Sequence, residues 1–101
     1  MQNERRRYPR VGVTCPAKVF DRNQRLLVRG RTVDVSAGGV RIMGPVVNEP
    51  KPGDEVNVEI DLLLPNTPKP KQVQRRATIR RVELMGEWTA LALEFTKTVD
   101  M

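Results

Sequence analysis

Apolar and polar residues alternate with a period of two along much of this chain, the pattern of strands buried on one face only. The clearest case is Val56, Val58, Ile60 and Leu62 interleaved with Glu55, Asn57, Glu59 and Asp61, one dry face and one wet. Leu91, Leu93 and Phe95 alternate with Ala90, Ala92 and Glu94, which places Phe95 in the core. The segment Val73–Leu84 starts with Val73, Ala77 and Ile79 on one phase and slips at Val82 and Leu84. A bulge or strong twist is therefore expected near Arg80 and Arg81. Earlier strands are expected over about Cys15–Phe20, Leu26–Val35 and Val40–Met43.

Turn residues punctuate these strands. Asp21-Arg22-Asn23-Gln24 suits a hairpin turn, Lys51-Pro52-Gly53-Asp54 a tight turn, and Met85-Gly86-Glu87 a turn before Trp88. The stretch from Leu64 to Lys71 holds Pro65, Pro68 and Pro70, cannot continue a strand, and is expected to be a mobile loop. No segment has helical periodicity and no internal repeat is present. Short strands with short connections imply an all-β domain, a small six-stranded antiparallel β-barrel. The expected organisation is a single domain over 1–101: a flexible arm at 1–10, the barrel at 11–96, and a tail at 97–101 with little or no C-terminal helix.

At 101 residues and 11.5 kDa the chain suffices for one modest core. It contains no apolar run of membrane-spanning length and no signal-peptide pattern, so the cytoplasm is the expected location. The lone Cys15 falls in phase with Val11, Val13, Ala17 and Val19 and reads as a buried small apolar residue. The net charge is +6 with a pI near 10.2, which favours anionic partners. That charge is unevenly placed: residues 1–10 carry a net +3 from Arg5, Arg6, Arg7 and Arg10 against Glu4, whereas 48–61 carry a net −4. A second knot of Arg75, Arg76, Arg80 and Arg81 has no side assigned by sequence alone. With no histidine, no zinc-ligand set and acidic strand residues that read as solvated, neither catalysis nor a metal site is expected, and no cofactor.

Two short motifs remain. Arg6-x-x-x-Arg10 lies in the cluster Arg5-Arg6-Arg7-Tyr8-Pro9-Arg10, and Asp34-x-Ser36-x-x-Gly39 ends the second strand at Gly38-Gly39. Guanidinium groups can hold phosphate oxygens, bond bidentately to guanine O6 and N7, or stack on a purine. Simple alternation sets Asp34 and Ser36 on the face opposite Val33 and Val35, roughly 6.5–7 Å apart. A carboxylate so placed can accept from guanine N1 and N2 while the hydroxyl takes a neighbouring polar atom. Gly39 permits either a positive φ or close approach of backbone to ligand. Each motif also has a plain reading, a solvated basic terminus and ordinary turn chemistry respectively.

The two motifs in this order resemble the PilZ family of bacterial cyclic di-GMP receptors, and the resemblance extends to the closing strand Ala90–Phe95. It implies a six-stranded antiparallel barrel. It further implies that Arg6 and Arg10 hold phosphates and guanine of cyclic di-GMP, with Asp34, Ser36, Gly38 and Gly39 at the barrel surface. Arg5 matches an extended motif associated with an intercalated ligand dimer. The expected mechanism is a noncatalytic receptor whose arm closes over cyclic di-GMP and alters the surface shown to an unidentified protein partner. Two alternatives stand beside it. One is a small basic barrel binding RNA or single-stranded DNA, for which aromatics at 4% are too sparse. The other is a PilZ-like protein adaptor that does not use nucleotide. Trp88 reads as a packing residue, with a partner anchor as the alternative.

Overall fold

The structure is a computed structural model that describes residues 14–62 and 68–96. The arm with Arg5, Arg6 and Arg10, the centre of the proline-rich loop and the tail at 97–101 lie outside the described residues. Six strands follow in chain order: β1 (Pro16–Phe20), β2 (Leu26–Val35), β3 (Gly39–Pro45), β4 (Glu55–Leu62), β5 (Lys71–Met85) and β6 (Trp88–Phe95). All pairings are antiparallel, and the strands close in the order β1-β2-β3-β6-β5-β4. Closure leaves no free sheet edge along the paired segments.

The core is what the alternation requires. Val56, Val58 and Ile60 of β4 meet Ala77 and Ile79 of β5, Leu91, Leu93 and Phe95 of β6, and Cys15, Ala17 and Val19 at the start, all buried. Glu55, Asn57, Glu59 and Asp61 lie on the opposite, wetter face. Among the described residues the two buried polar side chains have partners: the Thr32 hydroxyl accepts the Cys15 amide at 2.9 Å, and the Thr89 hydroxyl donates to the Glu83 carbonyl at 3.0 Å. An unpaired hydroxyl at either place would cost about 1–3 kcal/mol.

Bulges reset the phase where alternation alone would fail. The β5–β6 register shifts between Ile79 and Arg81, so Arg80 is the extra residue and Val82 returns to the core. The slip expected near Arg80 and Arg81 is thus present. Two further bulges lie in β2, at Leu27 opposite β1 and at Val33 opposite β3. The second corrects the simple alternation: Val33 is 37% exposed and does not share the inner face with Val35, which packs against the core.

The turns are built as their residues demand. The Asp21 carboxylate accepts the amides of Asn23 and Arg25, both at 2.8 Å, and its second oxygen meets Arg25 Nε at 3.1 Å. These bonds, the Arg25 amide foremost, hold its pKa below the ordinary carboxylate value. Gly86 takes φ 68° in the two-residue β5–β6 loop, as the first position of a type II′ turn requires. At that end Trp88 is 50% exposed, beside Leu84 at 64% and Met85 at 48%. It lies in register between Pro45 and Met85, so the packing role read from sequence is only half met.

Candidate ligand-binding site

At one end of the barrel β2 ends and β3 begins, with β6 ending alongside, so the β2–β3 connection lies against the end of β6. Ser36-Ala37-Gly38 forms the turn between Val35 and Gly39. The Ser36 amide donates to the Gly39 carbonyl at 2.9 Å. Its hydroxyl accepts the Gly38 amide at 3.2 Å and donates to the Gly39 carbonyl at 3.4 Å. The Gly38 carbonyl accepts the Phe95 amide at 2.9 Å, which pins the turn to β6. Ser36 is therefore a builder of the turn, whatever else it touches.

Gly39 is glycine because of its neighbour strand. It lies in β3 opposite Glu94 and is buried, with no positive φ. A Cβ there would sit 2.3 Å from the Leu93 carbonyl oxygen, well inside contact distance. What demands glycine here is a close approach of backbone to backbone between β3 and β6, a reason different from the positive φ or ligand approach expected from the sequence.

Asp34 projects from the barrel beside the turn, directly opposite Arg41 across the β2–β3 ladder. Asp34 Oδ2 lies 3.7 Å from Arg41 Nη1, and the side chains are 16% and 54% exposed respectively. The bulge at Val33 is what allows Asp34 to face outward while Val35 turns in. The geometry thus brings Asp34, Ser36, Gly38 and Gly39 to one end of one hairpin. Arg5, Arg6 and Arg10 fall outside the described residues.

Arg41 was not among the residues singled out from the sequence. Counting back from the turn, Val35 against Val40 and Asp34 against Arg41, would have found it. The row continues around the barrel through Ala92 to Arg81, so two arginines flank a small alanine surface next to Asp34. Arg80 instead pairs with Glu94. The second arginine knot is accordingly split: Arg80 and Arg81 lie on the β6 side of β5, whereas Arg75 and Arg76 pair in register with Val58 and Asn57 of β4. Among the described residues the aromatic side chains offer no stacking track. Phe95 is buried, and the strands carrying Phe20 and Trp88 lie three positions apart around the six-stranded barrel. Among the described residues no helix is long and apolar enough to cross a membrane.

Solved structures share this fold. The Bacillus subtilis inhibitor of motility (MotI/DgrA) is similar with a TM-score of 0.74 and 20% identity, over 96% of this chain and 45% of that one. This chain therefore spans less than half the length of that protein. The PilZ domain with c-di-GMP of YcgR from Escherichia coli gives 0.68 and 17%, over 92% and 79% of the two chains. The PilZ domain of CeSA from a cellulose-synthesising bacterium gives 0.60 and 19%, over 92% and 83%. No curated protein matches the chain. The PilZ domain family matches it from residue 4 to residue 101, spanning the basic arm, the Asp34–Gly39 strand end and the whole barrel. With sequence and barrel in agreement, the chain belongs to the PilZ domain family.

Proposed function

We propose that this protein is a noncatalytic receptor for cyclic di-GMP, with the ligand held between the arginine arm and the β2–β3 hairpin end. The observation that carries the reading is the family match over residues 4–101, in a chain that keeps both Arg6-x-x-x-Arg10 and Asp34-x-Ser36-x-x-Gly39. A structural relative, the PilZ domain of YcgR, is described with c-di-GMP bound.

Each residue then has a stated task. Asp34 accepts the N1 and N2 hydrogens of one guanine, a pairing for which a carboxylate has acceptors and no competing donor. Ser36 fixes the turn and offers its remaining hydroxyl capacity to the ligand, while the backbone of Gly38 and Gly39 forms the floor beside it. Arg6 and Arg10 clamp phosphate and the guanine Hoogsteen edge, and Arg5 supports a second ligand molecule. Arg41, already beside Asp34, adds positive charge to the site. Neutralising the arm's repelling arginines lets it fold over the nucleotide and changes the surface open to a protein partner. The ordering of the arm costs entropy, which lowers the affinity below what the contacts alone would give.

Calorimetric titration with cyclic di-GMP, with cyclic di-AMP as the parallel ligand, tests this reading. Saturable binding of the guanine ligand at one or two molecules per chain, and none of the adenine ligand, is expected. Equal binding of both, or of neither, rules out guanine recognition by Asp34.

A further inference from the structure

Across the barrel from the β2–β3 hairpin, the outer face of β1, β4 and β5 carries chemistry that the cyclic di-GMP reading leaves unused. Register places Phe20, Asn57 and Arg76 in one outward row, and Lys18, Glu59 and Gln74 in the next. Val19 and Val58, buried between the two rows, and Ala77, buried just beyond Arg76, fix those side chains on the outside. Phe20 stays only partly covered, an aromatic ring on an otherwise polar face.

This face is hollowed into a cleft of about 590 Å³ lined by Phe20, Asn57, Glu59, Gln74 and the Arg75–Arg76 pair, with Gln24 of the β1–β2 turn at its edge. That volume falls within the roughly 300–1,000 Å³ typical of small-molecule sites. At one end the cleft meets a smaller hollow where Arg22 and Glu55 join Asn57 and Arg76. At the other, Gln74, Arg75 and Arg76 line a hollow with Thr96, at the end of β6. Arg75 belongs to the inward phase of β5, but the described part of β6 pairs only as far as Ala77 opposite Phe95, so its side chain emerges at the mouth.

The charges are arranged with polarity. Arg25, Arg41 and Arg80 each have a carboxylate partner; among the described residues Arg22, Arg75 and Arg76 have none, nor do Arg29, Arg31 and Arg81, which do not line the cleft. Arg76 on the outer face and Arg75 at the barrel mouth thus supply a cationic end, Arg75 Nη1 also donating to the Gln74 carbonyl at 2.8 Å. Glu59 supplies an acceptor in the middle, flanked by the primary amides of Asn57 and Gln74, which both donate and accept. A run of acidic peptide would meet Glu55 and Glu59. A nucleic-acid strand would need a succession of stacking rings, and Phe20 is the one aromatic here. A simple cation would meet the arginines. What fits is one planar ring with a donor edge, joined to a compact negative charge.

We infer that this cleft is a second ligand site, distinct from the cyclic di-GMP motif, that takes a single nucleoside phosphate with a donor-edged base such as guanine. The base lies against Phe20 with its N–H edge toward Glu59, Asn57 and Gln74, and the phosphate meets Arg75 and Arg76. Stacking on one ring and an arginine–phosphate clamp are both available without rearranging the barrel.

The test uses the ¹⁵N-labelled full chain titrated with guanosine 5′-monophosphate to millimolar concentration, beside guanosine and inorganic phosphate. Saturable shifts are expected in the side-chain amides of Asn57 and Gln74 and the backbone of 74–76. They should be unchanged in Asp34→Ala, which separates this site from the motif. Arg76→Ala and Phe20→Leu should each weaken binding about tenfold or more with the remaining spectrum preserved. The inference is overturned by no shift in this region, by shifts that centre on residues 34–41, or by inorganic phosphate alone reproducing the response, which would mark an adventitious ion only.

Discussion

Replacing Gly39 by alanine separates what the motif glycine does for the fold from what it could do for a ligand. The added Cβ would lie 2.3 Å from the Leu93 carbonyl oxygen, and 3.4 Å from the next nearest atoms, all of them backbone of β6. No side chain can swing aside, so β3 and β6 must part by roughly 1 Å at this point, a strain of the overpacking kind worth about 1–3 kcal/mol. The same movement weakens the Ser36–Gly39 and Phe95–Gly38 hydrogen bonds that hold the turn, each worth about 1 kcal/mol. A loss of about 3 kcal/mol follows, which for a domain of this size lowers Tm by roughly 12–24 °C. Gly86→Ala is the control: its φ is 68° and nothing lies within 4 Å of the added carbon, so only backbone strain of about 1 kcal/mol applies. Thermal unfolding followed by circular dichroism reads both. If Gly39→Ala melts within a few degrees of the parent yet no longer binds cyclic di-GMP, the packing argument is wrong and the glycine serves the ligand.

Other outcomes follow from the same structure. Ile79→Ala empties a fully buried position and should cost about 2–5 kcal/mol, read by urea denaturation. Arg41→Ala removes a long, partly exposed ion pair and should change stability by about 1 kcal/mol or less. It should nevertheless weaken cyclic di-GMP binding severalfold, more at low salt than at high, since it takes a cation from beside an anionic ligand; an affinity independent of Arg41 at low salt would count against its place in the site. Asp21 has a depressed pKa in the folded state, so its contribution is fully present above the ordinary carboxylate pKa and is lost as pH falls below it. Asp21→Asn should therefore lower Tm at neutral pH and show a smaller further loss than the parent on acidification below about pH 4.

The barrel was legible where burial alone decides side-chain direction. In β4 every second residue faces a continuous core, so alternation reads straight through, and the β5 slip announces itself because Val82 and Leu84 break phase in the sequence. The bulge at Val33 gives no such signal: Val33-Asp34-Val35 alternates cleanly, and only the pairing with β3 shows that Val33 is extra. Trp88 misled for a related reason, since a large aromatic ring at the tip of a hairpin has few neighbours to cover it. Within the site, residue types and spacing pointed to Asp34 and Ser36. The partnership of Asp34 with Arg41 and the role of Gly39 depend on which strands lie alongside, a long-range property that short motifs do not carry.

The most direct test of the account is calorimetric titration of cyclic di-GMP into the parent, Arg10→Ala and Asp34→Ala proteins, each first shown to unfold at a similar temperature. The account predicts that Arg10→Ala abolishes most binding and that Asp34→Ala weakens it. Parent-like affinity in both folded variants would contradict a ligand held between the arm and the β2–β3 hairpin.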